Sequence, residues 1–411
     1  MSLRAQDPRE TAEAVARRSY GKLVAFLAAR TRDLAAAEDA LSEAFSAALA
    51  DWPIGGCPAN PEAWLLTVAR RKAIDSARRS RTAEAATDHV RLFAEETDAE
   101  GSEIPDRRLA LMFACAHPAI DANIRAPLML QAVLGLNAET IASAFLMSPA
   151  AMSKRLVRAK EKIREAGIPF IVPDREDLPA RRDAVLDAIY AAFAEGWSDP
   201  GTDVVRRDLT TEALFLARLV VELLPEEPET LGLLALMLHA DARRATRRNE
   251  NGDYIPFAEQ DPARWNSAMI GEAEALLRRA SAHGAIGRYQ LEAALQSAHI
   301  HRRRTGVPNW AEIVRLYDAL FAFSNSPVVA LNRALAKAEI NGAQAALQDL
   351  DELSADARLK DYQPYWAARA ELLAKAGAQA QARAAYEIAI GLERDPAVRR
   401  FLQRRQASLP A

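Results

Sequence analysis

Cysteine and histidine are scarce. The 411 residues hold two cysteines, Cys57 and Cys115, and six dispersed histidines. Two thiols exclude a disulfide framework and a four-thiolate zinc site within one chain. His299 and His301 stand two apart, which points them to different faces of a helix, so they do not make a paired-histidine metal site. The stretch "CAHP" at 115–118 adds one thiol and one imidazole, too few ligands for zinc. Nucleophile elbows, Walker loops and dinucleotide fingerprints are also missing. No enzymatic activity, cofactor or metal is therefore expected. Glycine and proline number 17 and 21 and are scattered, which leaves no long low-complexity tract. No run of eighteen apolar residues occurs, and the first residues hold no uninterrupted apolar stretch. The expectation is a cytoplasmic protein with no membrane partner.

Charge of one sign is lacking too. The formal net charge is −3, which argues against a general polyanion binder. Residues 1–170 carry 23 basic against 22 acidic side chains, and the remainder carries 30 against 34. Two windows break this balance. Residues 70–81 hold six basic side chains against Asp75, and residues 148–166 hold six against Glu161 and Glu165. Two concentrated basic segments in a near-neutral chain mark a defined electrostatic surface.

What is present is helix, and the fold class is all-α. Half the residues are hydrophobic, and β-branched residues never alternate over a strand length. Residues 10–50 give two helices, the second from Leu34 to Leu49. The loop "DWPIGGCPANP" (51–61) follows, and Asn60 and Pro61 open the helix "EAWLLTVARRKAIDSARRSR". That helix starts apolar at Trp64, Leu65 and Val68 and ends basic at Arg78, Arg79 and Arg81. An acidic stretch before Arg107 reads as a linker. Helices resume at 107–116 and 124–134, and a second linker, "GIPFIVPDREDLP" (167–179), precedes helix after helix to residue 411. Gly342 and Gly377 stand thirty-five residues apart, with Gln344 and Gln379 in matching places. That period resembles tetratricopeptide units of about 34 residues.

The segment "AFLMSPAAMSKRLVRAKEKIR" (144–164) follows "NAETIAS" after a very short turn at Leu146–Ser148. Short helix, turn and basic helix make the helix-turn-helix layout. Ser148 caps the second helix, Pro149 starts it, and Met152, Leu156, Ala159 and Ile163 form one buried stripe. In such a motif the N-terminal part of the second helix meets base edges while later cations meet phosphates. Ala150, Ala151 and Lys154 are thereby positioned for bases, with Arg155 and Arg158 for bases or backbone.

Taken in order, "AEDALSEAF" (37–45), "PEAWLLTVARRKAID" (61–75) and "LNAETIASAFLMSPAAMSKRLVRAKEKIR" (136–164) resemble the extracytoplasmic-function group of bacterial sigma factors. Within that group the chain is similar to the subgroup with a long tetratricopeptide-like extension. The resemblance covers about the first 168 residues. It implies sigma domain 2 over 10–82, a linker over 83–107, sigma domain 4 over 108–168 and a helical regulatory extension over 180–411. Its partners would be core RNA polymerase and promoter DNA. Asp39 and Glu43 match the stretch that docks on the polymerase clamp helices. The 52–60 loop and the next helix would engage the −10 element through Asn60, Arg70, Lys72, Arg78 and Arg79, and the 149–164 helix would read the −35 element. The chain departs from the pattern at Arg71, which replaces a usual Asn, and at the turn. There Leu146 replaces a usual Gly, at a strain cost of roughly 1–2 kcal/mol if it is left-handed, and Pro149 alters the pair of small residues before the helix.

Melting a promoter costs roughly 1.4 kcal/mol per base-pair step. About ten steps then cost over ~10 kcal/mol, as much as a strong specific protein–DNA affinity. Two small basic domains cannot supply both binding and melting, so the resemblance requires the polymerase as a partner. An intramolecular contact between the extension and the sigma domains is also expected, because tethering gives millimolar effective concentration. Two other readings remain open. A stand-alone helix-turn-helix regulator with a tetratricopeptide sensor explains 108–411 but leaves 37–81 without a purpose. A helical scaffold that binds no DNA explains neither basic window.

Overall fold

The computed structural model describes residues 8–79, 104–145, 147–174, 176–198 and 204–410. The expected linker up to residue 103, Arg81 and Leu146 lie outside the described residues, and for Arg78 and Arg79 only the helical backbone is described. Among the described residues there is no strand; an isolated antiparallel bridge joins Arg248 to Tyr254. The fold is all-α, as the patterning requires. The chain divides into two units, Met1–Leu216 and Ala217–Ala411.

The first unit begins with α1 (Pro8–Thr31), α2 (Leu34–Gly55) and α3 (Pro61–Arg79). Local chemistry sets their ends. The Asp33 carboxylate accepts the Ala36 N–H at 3.1 Å, and the Asn60 amide oxygen accepts the Ala63 N–H at 3.1 Å, so both start on side-chain caps. The three helices pack on one another through Leu23, Leu27, Leu34, Leu41 and Leu65, all fully buried. Next come α4 (Arg108–Cys115), α5 (Ala122–Leu134), α6 (Ala138–Ala144) and α7 (Pro149–Glu165). The Ser148 hydroxyl accepts the Ala151 N–H at 3.3 Å to cap α7. The stripe Met152, Leu156, Ala159 and Ile163 is buried. Its three large side chains contribute roughly 1.5–3 kcal/mol each, and this burial, more than propensity, holds the helix in place.

These two groups of helices pack on each other. α1 lies against α4 and α5, and α2 lies against α7. At Gly21 the backbones of α1 and α5 touch: a Cβ there would lie 2.1 Å from the Val133 carbonyl oxygen. Then α8 (Leu178–Ser198) returns onto α4 and α5, where the Arg181 guanidinium donates to the Phe113 carbonyl at 2.9 Å. The division between the units falls inside α9 (Val204–Leu223).

In the second unit, α10 (Pro228–Asp241) is buried from Pro228 through His239, and α11 (Ser267–Ala282) and α12 (Arg288–Thr305) both lie along it. A helix apolar all round can only be central. α12 starts at Gly287, which has no side chain to cap it. Instead the buried Glu229 carboxylate accepts the N–H groups of Tyr289 at 2.9 Å and Gln290 at 3.1 Å. An anion at a helix N-terminus satisfies both orphan donors and the dipole. The remaining helices are α13 (Trp310–Ser324), α14 (Pro327–Asn341), α15 (Ala343–Leu353), α16 (Gln363–Lys375), α17 (Gln379–Leu392) and α18 (Pro396–Ala407). Gly342 and Gly377 take φ of 83° and 81° at the turns between α14 and α15 and between α16 and α17. Both therefore need a left-handed conformation that glycine supplies at no steric cost. Leu331, Leu347, Leu350, Tyr365, Leu372, Leu373, Tyr386 and Leu402 form one core across these helices.

Candidate nucleic-acid and polymerase interface

α2 carries the first candidate pair. Asp39 and Glu43 are four apart on one helix and both exposed, so they can meet a basic surface together. Glu43 also pairs with Lys72 of α3 at 3.2 Å. With about half of each side chain exposed, that pair is screened and competes weakly with any partner.

α2 runs on to Gly55 through residues expected as loop, with Pro53 inside the helix, and its last turns are anchored by packing. Trp52 is buried and meets Trp64 edge-to-face, with ring centroids 5.5 Å apart. Two residues on, Ile54 is 91 % exposed, so the chain presents an apolar side chain beside the expected −10 surface. Asn60, exposed, uses its side-chain oxygen to cap α3. Lys72 remains half exposed. Arg70 lies inward, its guanidinium carbon 5.2 Å from the Phe26 ring centroid and its Nε buried without a hydrogen-bond partner. Burial holds its guanidinium pKa below the ordinary arginine value.

α7 divides lengthwise. Its N-terminal half shows Ala150, Lys154, Arg155 and Arg158 to solvent, with Ala151 partly covered. Arg155 Nη1 reaches the Met147 sulfur at 3.8 Å, and no carboxylate pairs with Lys154, Arg155 or Arg158 among the described contacts. A cluster of exposed cations unanswered by acid is what phosphate and base recognition requires of the second helix in a helix-turn-helix layout. Lys154→Ala and Arg155→Ala are each expected to cost about 1–3 kcal/mol and relax sequence preference where they read bases. A uniform loss across sequences, with the salt slope reduced by about one, marks a phosphate contact instead. A quantitative gel-shift salt series on randomised duplexes distinguishes the two, and no loss of either kind removes these residues from the interface.

The C-terminal half of α7 is engaged within the protein. Lys160 Nζ pairs with Glu38 Oε2 of α2, each side chain only 12 % exposed. One turn on, Arg164 Nη1 stands 3.6 Å from Asp33 Oδ2. Burial raises the Glu38 pKa, and the adjacent Lys160 opposes that shift. The Cys115 thiol, fully buried, is also pushed up by burial and secondarily by Glu38. Patterning had put the cations on α7 but had not paired them with α2. Partners 122 residues apart leave no local signature.

Among the described residues no group of three or more His, Cys, Asp or Glu side chains is placed to hold a metal. No helix there is long and apolar enough to cross a membrane.

With this geometry in place, the comparisons with known proteins are specific. Residues 15–83 match sigma-70 region 2. Residues 181–281 match a family of unknown function, DUF6596. An uncharacterized protein of Rhizobium meliloti (strain 1021) is 40 % identical over 371 residues, which cover 88 % of this chain and 87 % of that protein. No solved structure matches the chain. The region 2 match, spanning α1 to α3, supports a sigma-factor-like role in transcription initiation and, in general terms, interaction with core RNA polymerase and promoter DNA.

Proposed function

The chain belongs to one family with the Rhizobium meliloti protein and carries a sigma-70 region 2, and from that premise we propose that it is a sigma factor of the extracytoplasmic-function group, regulated in cis by a tetratricopeptide-like extension. In this reading it brings core RNA polymerase to specific promoters. Asp39 and Glu43 dock on the polymerase. The 52–60 segment with Asn60, Lys72, Arg78 and Arg79 engages the −10 element, and Arg70 supports it from the Phe26 side. Ala150, Ala151, Lys154, Arg155 and Arg158 read the −35 element. The observation that carries the reading is the joint occurrence of a region 2 match with the capped helix α7, whose outer face bears cations without acid partners. A stand-alone regulator would need α7 but would have no use for region 2.

Cis regulation rests on α8. The DUF6596 match starts at residue 181, and Arg181 is the residue that donates to Phe113 of α4. The extension thus begins against the helices that carry the −35 reader. Promoter geometry adds a second argument. Elements centred near −10 and −35 lie roughly 85 Å apart at about 3.4 Å per base pair. A packed unit of 216 residues has a radius of gyration of only about 17 Å. The −10 and −35 readers must part before both elements are bound. In this reading the contacts that α8 makes with α4 and α5 bias that step.

The test is reconstitution. The full chain is mixed with core polymerase, resolved by size exclusion, and assayed for run-off transcription on fragments of its own genome. Co-elution with promoter-specific transcripts is expected. Failure to co-elute, with DNA binding retained, would leave the stand-alone regulator as the correct reading.

A further inference from the structure

α11 and α12 both lie along α10, and a cavity of about 960 Å³ runs between their facing sides. Ile270, Glu274, Leu277 and Ser281 line it from α11, and Ala294, Ser297, His301 and Arg304 from α12, each set at helical spacing on one face. Midway, the Ser297 hydroxyl donates to the Glu274 carboxylate at 2.5 Å, which sets residue 274 opposite 297. The two helices are antiparallel neighbours joined by the short turn 283–287. Arg278 therefore lies toward that turn and Arg304 toward the other end, roughly 16 Å further along at 1.5 Å per residue. The chain itself crosses both ends. Ala285 and Ile286 of the turn line one, and Asn309 with Glu312 of α13 line the other. A volume within the small-ligand range of roughly 300–1,000 Å³, stopped at both ends, suits a short elongated molecule better than a partner helix passing through.

The polar groups of the wall have a surplus of one sign. Both lining acids are engaged: Glu274 accepts Ser297 and stands 3.5 Å from His239 Nε2, and Glu312 accepts from Arg315 Nη2 at 3.3 Å. Arg278 and Arg304 are exposed, and no carboxylate pairs with either among the described residues. His301 precedes Arg304 by one turn on the same face, so that end offers a guanidinium and an imidazole together. The turn end is more apolar, with Leu277, Leu291 and the 66 % exposed Ile286 in its lining. We propose that this cavity binds a small amphipathic anion, an elongated apolar body whose carboxylate or phosphate head is held by Arg304 and His301 and whose tail runs toward Ile286. Charge-assisted hydrogen bonds from a guanidinium to an oxyanion are the strong ones, and the Glu274 carboxylate midway repels the head toward the Arg304 end. Burial of the tail supplies the non-directional part of the affinity. The site does not depend on the assignment of the chain as a sigma factor; it puts a diffusible ligand on the extension.

Isothermal titration calorimetry on the full-length protein tests it with dodecanoate, dodecyl phosphate and dodecyltrimethylammonium, all below their micellar concentrations. One saturable site per chain is expected for the two anions, tighter than for the cation by about tenfold. Whichever anion binds tighter identifies the head. Arg304→Gln is expected to weaken both anions about tenfold and erase their preference over the cation. Arg278→Gln should cost less, and Arg264→Gln, at an exposed arginine outside the lining, should cost nothing. Ala294→Trp fills the cavity and should remove binding. Ile286→Asn, at a position too exposed to matter for folding, should weaken it about threefold to tenfold. No saturable binding of either anion overturns the proposal, as does equal affinity for the cation. A loss in Arg278→Gln or Arg264→Gln that matches Arg304→Gln overturns the placement of the head. Binding that survives Ala294→Trp, with Ile286→Asn silent, is adsorption to exposed apolar surface and overturns the site. A free protein that sediments as a dimer, made monomeric by Ala294→Trp, would assign the cavity to a second copy instead.

Discussion

Replacing Asp39 and Glu43 together with lysine is expected to abolish co-elution with core RNA polymerase while the fold survives. Both side chains are exposed on one face of α2, and neither is part of the buried set that holds that helix, Leu34, Ala37, Ala40, Leu41, Ala44, Ala48 and Trp52. Asp39 makes no salt bridge among those described, and the Glu43–Lys72 pair at 3.2 Å is solvated on both sides. Exposed pairs contribute about 0–1 kcal/mol. A loss of 1 kcal/mol moves the melting midpoint of a unit this size by about 2–4 °C. Docking is a different matter, because reversing two charges against a complementary surface replaces attraction with repulsion worth several kcal/mol. The two readouts therefore separate. Co-elution retained at parental affinity would put the polymerase surface elsewhere on the unit. A midpoint lowered by more than about 8 °C would show that these carboxylates hold the fold, a role the described contacts do not give them.

How far the sequence spoke depended on the range of each signal. The stripe at Met152, Leu156, Ala159 and Ile163 is buried at 0–6 % exposure, and Ser148 and Pro149 start the helix where the pattern requires. Capping and periodicity are written within a few residues, so α7 was legible. Asn60 as the cap of α3 was legible for the same reason. What could not be read was pairing at a distance. Nothing near Glu38 announces Lys160, and nothing near Glu229 announces that its carboxylate will cap α12, sixty residues on. Arg70 shows another boundary. A guanidinium is both cation and flat apolar surface, and only the position of the Phe26 ring reveals which property this site uses. The connection from Ala242 to Asn266 had no pattern at all. It is held by contacts such as the Trp265 indole donating to the Thr246 hydroxyl at 3.1 Å, in a segment without helical period.

The same lesson gives a prediction in which one kind of substitution has opposite signs at two places. Gly21 and Gly271 both sit inside helices, where glycine costs up to about 1 kcal/mol relative to alanine. Read locally, alanine should stabilise both. At Gly271 in α11 a Cβ would meet nothing within 4 Å, so Gly271→Ala is expected to gain up to about 1 kcal/mol. At Gly21 the new carbon would lie 2.1 Å from the Val133 carbonyl oxygen and 2.9 Å from its carbonyl carbon. Both are backbone atoms, so no rotamer change can relieve the overlap, and α1 and α5 have to separate. Tyr20, which lies over Gly135 at the end of α5, would move with them. Overpacking of this kind costs about 1–3 kcal/mol and occasionally more. That outweighs the helical gain, and Gly21→Ala is expected to be net destabilising by up to about 2 kcal/mol. Since α1–α5 is one of the contacts that join α1–α3 to the group of helices that includes α7, the variant should also raise the radius of gyration seen by small-angle scattering. Calorimetry on the two variants side by side decides it. If Gly21→Ala stabilises as Gly271→Ala does, with no change in scattering, then α1 and α5 do not approach as closely in solution as the geometry requires.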